Sequence, residues 1–525
     1  RPPRSTLFPY TTLFRSDRTK LNWVNENVLT YIKDINRLNR IDLTGAVSLE
    51  GTSNSYYGFE VINVPNEELG LSGMDQGTPI SVNSLKSENT LFSYLARANY
   101  SYRSRYLFTA SFRADGSSKF SPENRWGYFP SGAFAWKMDK ERFMRKLKFI
   151  SESKLRLSYG VTGNNRLGDY DRYQNLDITD YYSFNNGTPQ YALVIDNLGN
   201  NDLRWEKTAQ FDIGYDLSLF KNRINLVIDL YDKTTSDLLL NAKIPYSSGL
   251  GTSYKNVGKI QNRGLEFSLN TVNIKSKNFS WESDFNISFN RNKVLELSEG
   301  QESILSTVSW TGDWNATYLY MTKIGGPVAA FYGFVWDGVY QYDDFDKLAD
   351  NTYTLKKNVP TNGNNRDVIQ PGDIKYRDQN GDGVVNDNDL VVIGNPLPKH
   401  TGGFNNNFSY KGFNLNAFFQ WSYGNDVFNA NRILMEGNAT NRNINQFASY
   451  VNRWTPDNQN NTYFRIGGYG PRGVYSSRTV EDGSFLRFKT LQLSYSFPEK
   501  LVKSIRLQKL ELFAAANNLY TWTKY

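Results

Sequence analysis

Cysteine is absent from the 525 residues and histidine occurs once. The first absence excludes a disulfide framework, a thiolate metal site and a cysteine nucleophile. The second leaves His400, between Pro398-Lys399 and Thr401 at a strand start, as the one residue on which a Ser-His-Asp arrangement could be built, and it is read as an ordinary loop or interface residue instead. Long apolar runs are also missing. None approaches the ~18 residues of a membrane-crossing helix, which excludes helical membrane proteins. Charge of one sign is lacking too: Lys and Arg number 60, Asp and Glu 52, and the signs are interleaved. Without a cationic tract, nucleic-acid binding has no footing, and the net charge of +8 reads as a solvated surface with headgroup phosphates at the outer rim as an alternative contact. Carboxylate pairs such as Asp343-Asp344 identify no glycosidase without geometry.

Aromatic residues are abundant, with 35 Tyr, 33 Phe and 11 Trp. They sit in segments whose apolar residues recur every second position. In Trp205–Leu219 the apolar set is Trp205, Ala209, Phe211, Ile213, Tyr215, Leu217 and Leu219, broken by Lys207 and interleaved with Gln210, Asp212, Asp216 and Ser218. Side chains alternate between the two faces of a strand, so one face is oily and the other wet. Soluble strands average about 5–6 residues, whereas a tilted strand crossing the hydrocarbon core needs about 9–11. The signature returns at Leu155–Val161, Leu265–Leu269, Phe279–Phe289 and Phe413–Trp421. A transmembrane β-barrel escapes hydropathy analysis because half of each strand faces a polar lumen, so a mean hydropathy of −0.58 is no objection. An aromatic-rich soluble sandwich is the competing reading.

Alternation and turn-forming clusters predict fourteen antiparallel strands in seven pairs: 27–33 with 39–50, 90–102 with 105–113, 127–138 with 153–162, 204–219 with 223–234, 263–273 with 279–291, 403–410 with 413–423, and 485–497 with 506–516. Links within most pairs are short, and those between pairs are long: 51–89, 114–126, 163–203, 235–262, 292–402 and 424–484. Such sorting suits a membrane barrel, whose turns lie on the periplasmic side and whose loops lie outside. The loops, rich in Asn, Gly, Asp and Tyr, are expected to form a polar surface without a hydrophobic domain. Fourteen strands without a closing partner leave two edges, where unpaired backbone groups in lipid are costly.

Several strings resemble one family. They are Phe112–Phe120 (FRADGSSKF) followed by Trp126–Ser131 (WGYFPS), Leu155–Asn164 (LRLSYGVTGN), Asn256–Glu266 (NVGKIQNRGLE), Asn395–Lys399 (NPLPK) and Leu510–Tyr525 with its Asn517–Trp522 core (NNLYTW). Together they resemble the SusC/RagA-like TonB-dependent outer-membrane transporters over everything after Ser16. The resemblance implies an all-β fold, a barrel of about 22 strands around an N-terminal plug, of which 17–525 is a partial barrel lacking the plug, the signal peptide, the energy-coupling box, about seven preceding strands and the last one. It implies outer-membrane location in a Gram-negative envelope and import of oligosaccharides or peptides with a SusD-like surface lipoprotein and TonB as partners, without enzymatic activity. A passive porin and a soluble glycan-binding protein are the alternatives. Residues 1–16 stand apart, because Thr6–Ser16 back-translates codon for codon into a common sequencing adapter; they are expected to make no sheet pairing.

The sharpest local motif is Asp378–Asp389 (DQNGDGVVNDND), with oxygen-bearing side chains at positions 1, 3, 5, 9 and 12 and glycine at 6. Hard cations need six to eight oxygens, and this spacing offers Asp378, Asn380, Asp382, the Val384 carbonyl, Asn386 and Asp389 to a structural Ca²⁺. Asp389 replaces the usual Glu, and an Asx-rich turn without metal is the alternative. For ligand stacking, 292–402 offers Trp310, Trp314, Tyr332, Trp336 and Tyr340, with loop packing as the alternative use of those rings.

Overall fold

The computed structural model describes residues 12–65, 67–178, 181–182, 187, 190–298, 300–308, 317–436, 445–468 and 475–525. A single sheet of fourteen strands, each hydrogen-bonded to its sequence neighbour in the sheet, carries the fold. We number them β1 (Leu13–Asn36), β2 (Asn39–Ile62), β3 (Thr78–Tyr102), β4 (Tyr106–Ser117), β5 (Trp126–Lys137), β6 (Ile150–Asn164), β7 (Glu206–Leu219), β8 (Ile224–Ser236), β9 (Lys259–Lys275), β10 (Phe279–Glu296), β11 (His400–Tyr410), β12 (Phe413–Tyr423), β13 (Phe485–Ser496) and β14 (Glu511–Thr523). No helix among the described residues is long and apolar enough to cross a membrane.

Register explains why the alternation matters. Leu269 lies opposite Phe285, Phe285 opposite Phe404, Phe404 opposite Phe419 and Phe419 opposite Phe488, so one row of apolar side chains, four of them phenyl rings, runs across five strands. On the other face Asn270 donates to Asp284, and Asn416 to Asn405 and Asn407, at 2.7–2.8 Å. A slip of one residue would exchange the faces, which pins the pairing. In β7, Phe211 and Ile213 are exposed and belong to no buried cluster, while Asp216, on the opposite face, pairs with Lys154 at 3.2 Å. Trp205 departs from the expected oily face. It precedes β7 and is buried against Phe120 and Phe129, with its indole N–H on the Arg125 carbonyl at 2.8 Å.

Four sequence expectations need correction. The connection 51–89 shrinks to 63–77, because β2 and β3 continue in register through polar stretches such as Gly51–Ser55, where backbone pairing asks for no oily face. The final strand begins at Glu511 and not at 506, since 497–510 holds a helical turn at Glu499–Ser504. Connection lengths are not strictly sorted: 118–125 is shorter than 138–149. Finally, Leu13–Ser16 pair with Val61–Gly58, against the expectation for residues 1–16. The ladder bonds there are backbone bonds indifferent to sequence, and Phe14, Arg15 and Ser16 remain exposed. Residues 1–11 lie outside the described residues.

The chain divides into two compact units. One comprises residues 1–136, 156–211 and 235–258; the other 137–155, 212–234 and 259–525. The first has a small core of Phe120, Phe129, Leu167, Leu203 and Trp205. The core of the second lies in its two longest connections, 297–399 and 424–484.

Candidate functional site

Those two connections fold together. Leu319, Phe334, Val339, Ile374, Tyr376 and Val385 from the first pack with Ile433, Trp454, Phe464 and Tyr475 from the second, and a neighbouring cluster holds Tyr340, Phe345, Leu355 and Ile369. The expected polar surface without a hydrophobic interior is therefore wrong. Short strands make the frame: Ser303–Val308, Thr317–Lys323, Ala330–Gly333 and Val391–Gly394 form one sheet, and Trp336–Val339 pairs with Ile374–Tyr376. Polar groups lock the two connections to each other. Arg465 meets Asp373 at 2.6 Å, the Trp454 indole donates to Gln341 Oε1 at 3.0 Å, and Tyr475 Oη donates to the Leu319 carbonyl at 3.1 Å. Glu436 accepts from both Arg432 and Arg478 at 2.8 Å, and the Arg478 guanidinium also lies 5.3 Å from the Trp336 ring.

Within this module the structure separates the aromatic residues proposed for stacking. Tyr340 is fully buried, its hydroxyl donating to the Pro360 carbonyl at 2.7 Å, so its ring is a core residue and not a ligand platform. Burial, reinforced by Asp344 and Asp373, pushes its ionisation far above the ordinary tyrosine range. Trp336 is half-buried against the core, wedged beneath Arg478, with its N–H toward the Asn461 carbonyl at 3.3 Å. Tyr332 stays half-exposed on an interior strand of the four-stranded sheet, opposite Val392. Partial burial and the nearby Asp387 carboxylate raise the pKa of its hydroxyl. Trp310 and Trp314 lie outside the described residues. Sequence reading missed Trp454, Phe464, Tyr475 and Arg478, which complete the module from more than a hundred residues downstream and carry no local signal of that role.

The Asp378–Asp389 loop closes on its own backbone. Asp378 accepts from the Gly381 and Gly383 N–H groups at 2.7 Å, Asn380 Oδ1 from Asp382 N at 2.9 Å, Asp382 Oδ1 from Val384 N at 2.8 Å, and Asn386 Oδ1 from Asn388 N at 2.9 Å. Asp389 is fully buried and accepts from Gln379 N at 2.8 Å and Asn386 N at 2.7 Å. Gly381 and Gly383, at φ of 75° and 85°, make the turns that allow this. Desolvation raises the pKa of Asp378, but the N–H groups of Gly383, Gly381, Asp382 and Asn380 together outweigh it and hold the carboxyl below its usual value. Thr361 brackets the loop from behind, donating to the Gly383 carbonyl and accepting from Val385 N, and its buried hydroxyl has no hydrogen-bond partner among the described residues. The donor set is entirely oxygen, as a hard cation requires. No group of three or more His, Asp or Glu among the described residues is gathered closely enough to hold a metal by itself.

His400 is a packing residue of β11. Its Nδ1 accepts from the Trp421 indole at 3.1 Å and its ring stacks on Tyr423 at 5.0 Å. Asp344 caps the Gln341 N–H and pairs with Lys375 at 3.1 Å. In the first unit a hollow of about 710 Å³ is lined by Leu29, Gly45, Ala96 and Phe112 among others.

Residues 4–519 match the family described as TonB dependent receptor-like, beta-barrel. The chain belongs to the TonB-dependent receptors. TonB-dependent receptor P3 of Formosa agariphila is 33% identical over 97% of the chain, which covers 48% of that relative. TonB-dependent receptor SusC of Bacteroides thetaiotaomicron is 30% identical over 84% of the chain, which covers 41% of it. Among solved structures, the RagAB peptide transporter superposes with a TM-score of 0.82 at 24% identity, covering 98% of this chain and 53% of that one. This TonB-dependent receptor chain thus spans about half the length of the curated relatives it matches, and its place is the outer membrane. The apolar rows of β9–β13 have the pattern of a barrel face turned to lipid.

Proposed function

We propose that this chain forms the membrane wall and outer surface of an energised importer of the SusC/RagA type, admitting oligosaccharides or peptides with a SusD-like surface lipoprotein and drawing energy through TonB. The observation that carries this reading is the co-folded extracellular module. A passive pore needs no cored domain built from two connections, whereas a receptor that closes over cargo needs a firm platform for ligand and lid. The half-exposed Tyr332, the exposed part of Trp336 and the exposed Tyr318 and Phe447 give it aromatic surface. The test is uptake of fluorescent oligosaccharides and peptides by cells with and without the full-length receptor gene, each before and after dissipating the inner-membrane proton gradient. Uptake should require both the gene and the gradient. Gene-dependent uptake that persists without the gradient would make the protein a porin.

We further propose that Asp378, Asn380, Asp382, the Val384 carbonyl, Asn386 and Asp389 hold a structural Ca²⁺, whose positive charge would offset the acidic side chains of the loop. Asp382→Asn keeps the acceptor used by Val384 N–H and removes one charge. Calorimetry on the intact receptor should show Ca²⁺ binding weakened by roughly tenfold or more in the variant, the charge count being what tunes such loops. No Ca²⁺ binding by the unmutated receptor would leave an Asx turn.

A further inference from the structure

The short connections of the second unit are unlike the rest of the chain in charge. Segments 138–149, 220–223, 276–278, 411–412 and 497–510 together contain thirteen Lys and Arg against three Asp and Glu, whereas the whole chain is nearly balanced at 60 to 52. They are also contiguous. Phe220 N donates to the Phe149 carbonyl and Lys411 N to the Asn278 carbonyl, joining two pairs of connections directly, while the Arg223 carbonyl accepts from Val272 N near the end of β9 and the Gly412 carbonyl from Ser496 N at the end of β13, the strands that lead into 276–278 and 497–510 along one rim.

Two of them are too long for tight turns, and both interleave cations with exposed apolar side chains. In 138–149, Phe143 is 59% exposed and Phe149 46%, among Arg142, Arg145, Lys146 and Lys148. In 497–510, Leu501, Ile505 and Leu507 are each about half exposed beside Lys500, Lys503 and Arg506. Arg142, Arg145, Lys146 and Lys148 form no ion pair among the described residues. A merely solvated basic face has no reason to hold large apolar groups in water; a segment lying in a membrane interface has, because its apolar groups enter the acyl boundary while its cations meet phosphate. The strand ends deliver these segments to that depth. Lys411 over the Tyr410 ring at 5.3 Å repeats the same pairing of cation and ring at the tight turn.

We propose that this rim is a docking surface for anionic phospholipid headgroups of the periplasmic leaflet, with 138–149 and 497–510 lying in the interface as amphipathic anchors. Charge complementarity and continuity with the lipid face select lipid as the occupant. The surface rests on the family's strand orientation and is independent of what the receptor imports. Each Lys or Arg near an anionic surface adds about 1 kcal/mol, roughly fivefold in affinity.

The test uses the full-length receptor in nanodiscs of phosphatidylcholine with and without phosphatidylglycerol. Phosphatidylglycerol should be retained preferentially by native mass spectrometry, and the combined Arg142→Gln, Arg145→Gln, Lys146→Gln and Lys148→Gln variant should lose that preference by roughly tenfold or more. Lys347→Gln and Lys356→Gln, on the extracellular module, should leave it intact. Equal retention of both lipids by the unmutated receptor overturns the proposal, as does an unchanged preference in the fourfold variant. Lys146→Cys, read against the unmutated full-length receptor under the same labelling, reports orientation separately. In intact cells it should resist an impermeant maleimide; labelling there would place the rim outside and overturn the assignment to the periplasmic leaflet without touching the import reading.

Discussion

Tyr340 and Tyr332 lie eight positions apart in one aromatic-rich stretch and have opposite fates. The first fills the core and hydrogen-bonds Pro360; the second keeps part of its ring in solvent. Tyr340→Ala should therefore cost the module built from 297–399 and 424–484 about 3–5 kcal/mol, and Tyr340→Phe about 1–3 kcal/mol because the Pro360 carbonyl loses its donor. Tyr332→Ala should cost less than about 1 kcal/mol. Limited proteolysis of the module in the intact receptor ranks the three. The acids of the module respond to pH in opposite senses. Burial raises the pKa of Asp373 even against the N–H of Gln370 and the guanidinium of Arg465. The folded state therefore holds a proton that the unfolded chain releases, and this contribution is present below the ordinary carboxylate pKa and lost as pH rises through the raised one. Asp378 is depressed, so its contribution is present above the ordinary value and lost as pH falls through the lowered one. Asp373→Asn should flatten the loss of protease resistance on the alkaline side of the Asp373 window and leave the acid-side loss unchanged; an unaltered profile would show that the carboxyl is not the titrating group.

At the scale of elements, glycine marks where two strands admit no side chain. A Cβ on Gly402 would collide with the Trp421 indole and the Asn286 carbonyl, whereas one on Gly45 would meet open space. Gly402→Ala should lower the temperature at which the folded receptor loses its heat-modifiable gel mobility, and Gly45→Ala should not. Phe404→Arg, in the middle of the row of apolar side chains, should cost about 2–4 kcal/mol, the value for a cation at the bilayer midplane, read in the same assay. Strands with a strict two-residue period were legible from sequence to within a few residues, as at β7, β10 and β12, because lipid on one face and water on the other impose the pattern. The extensions of β1–β3 were not legible, since beyond the apolar belt the pairing is held by backbone bonds that leave the side chains free.

At the scale of the whole molecule, sequence alone established the all-β architecture, the fourteen-strand order, the family and hence the outer membrane. These follow from local periodicity, from turn chemistry and from motifs that survive without knowledge of what touches what. The Asp378–Asp389 loop was equally visible as a spacing of oxygen-bearing side chains and glycines along twelve residues. Tertiary structure decided the rest. That 297–399 and 424–484 share one core, that Tyr340 is buried in a cluster beside it, and that Arg478 bridges Glu436 and Trp336 depend on contacts between residues well separated along the chain, from 20 positions for Tyr340 and Pro360 to 156 for Leu319 and Tyr475. The basic rim likewise emerged when five separate connections were brought side by side; dispersed along the chain, their charges cancel against acids elsewhere. Periodicity records the solvent on each side of a strand, whereas long-range packing is set by which surfaces meet, and that information exists in no single segment.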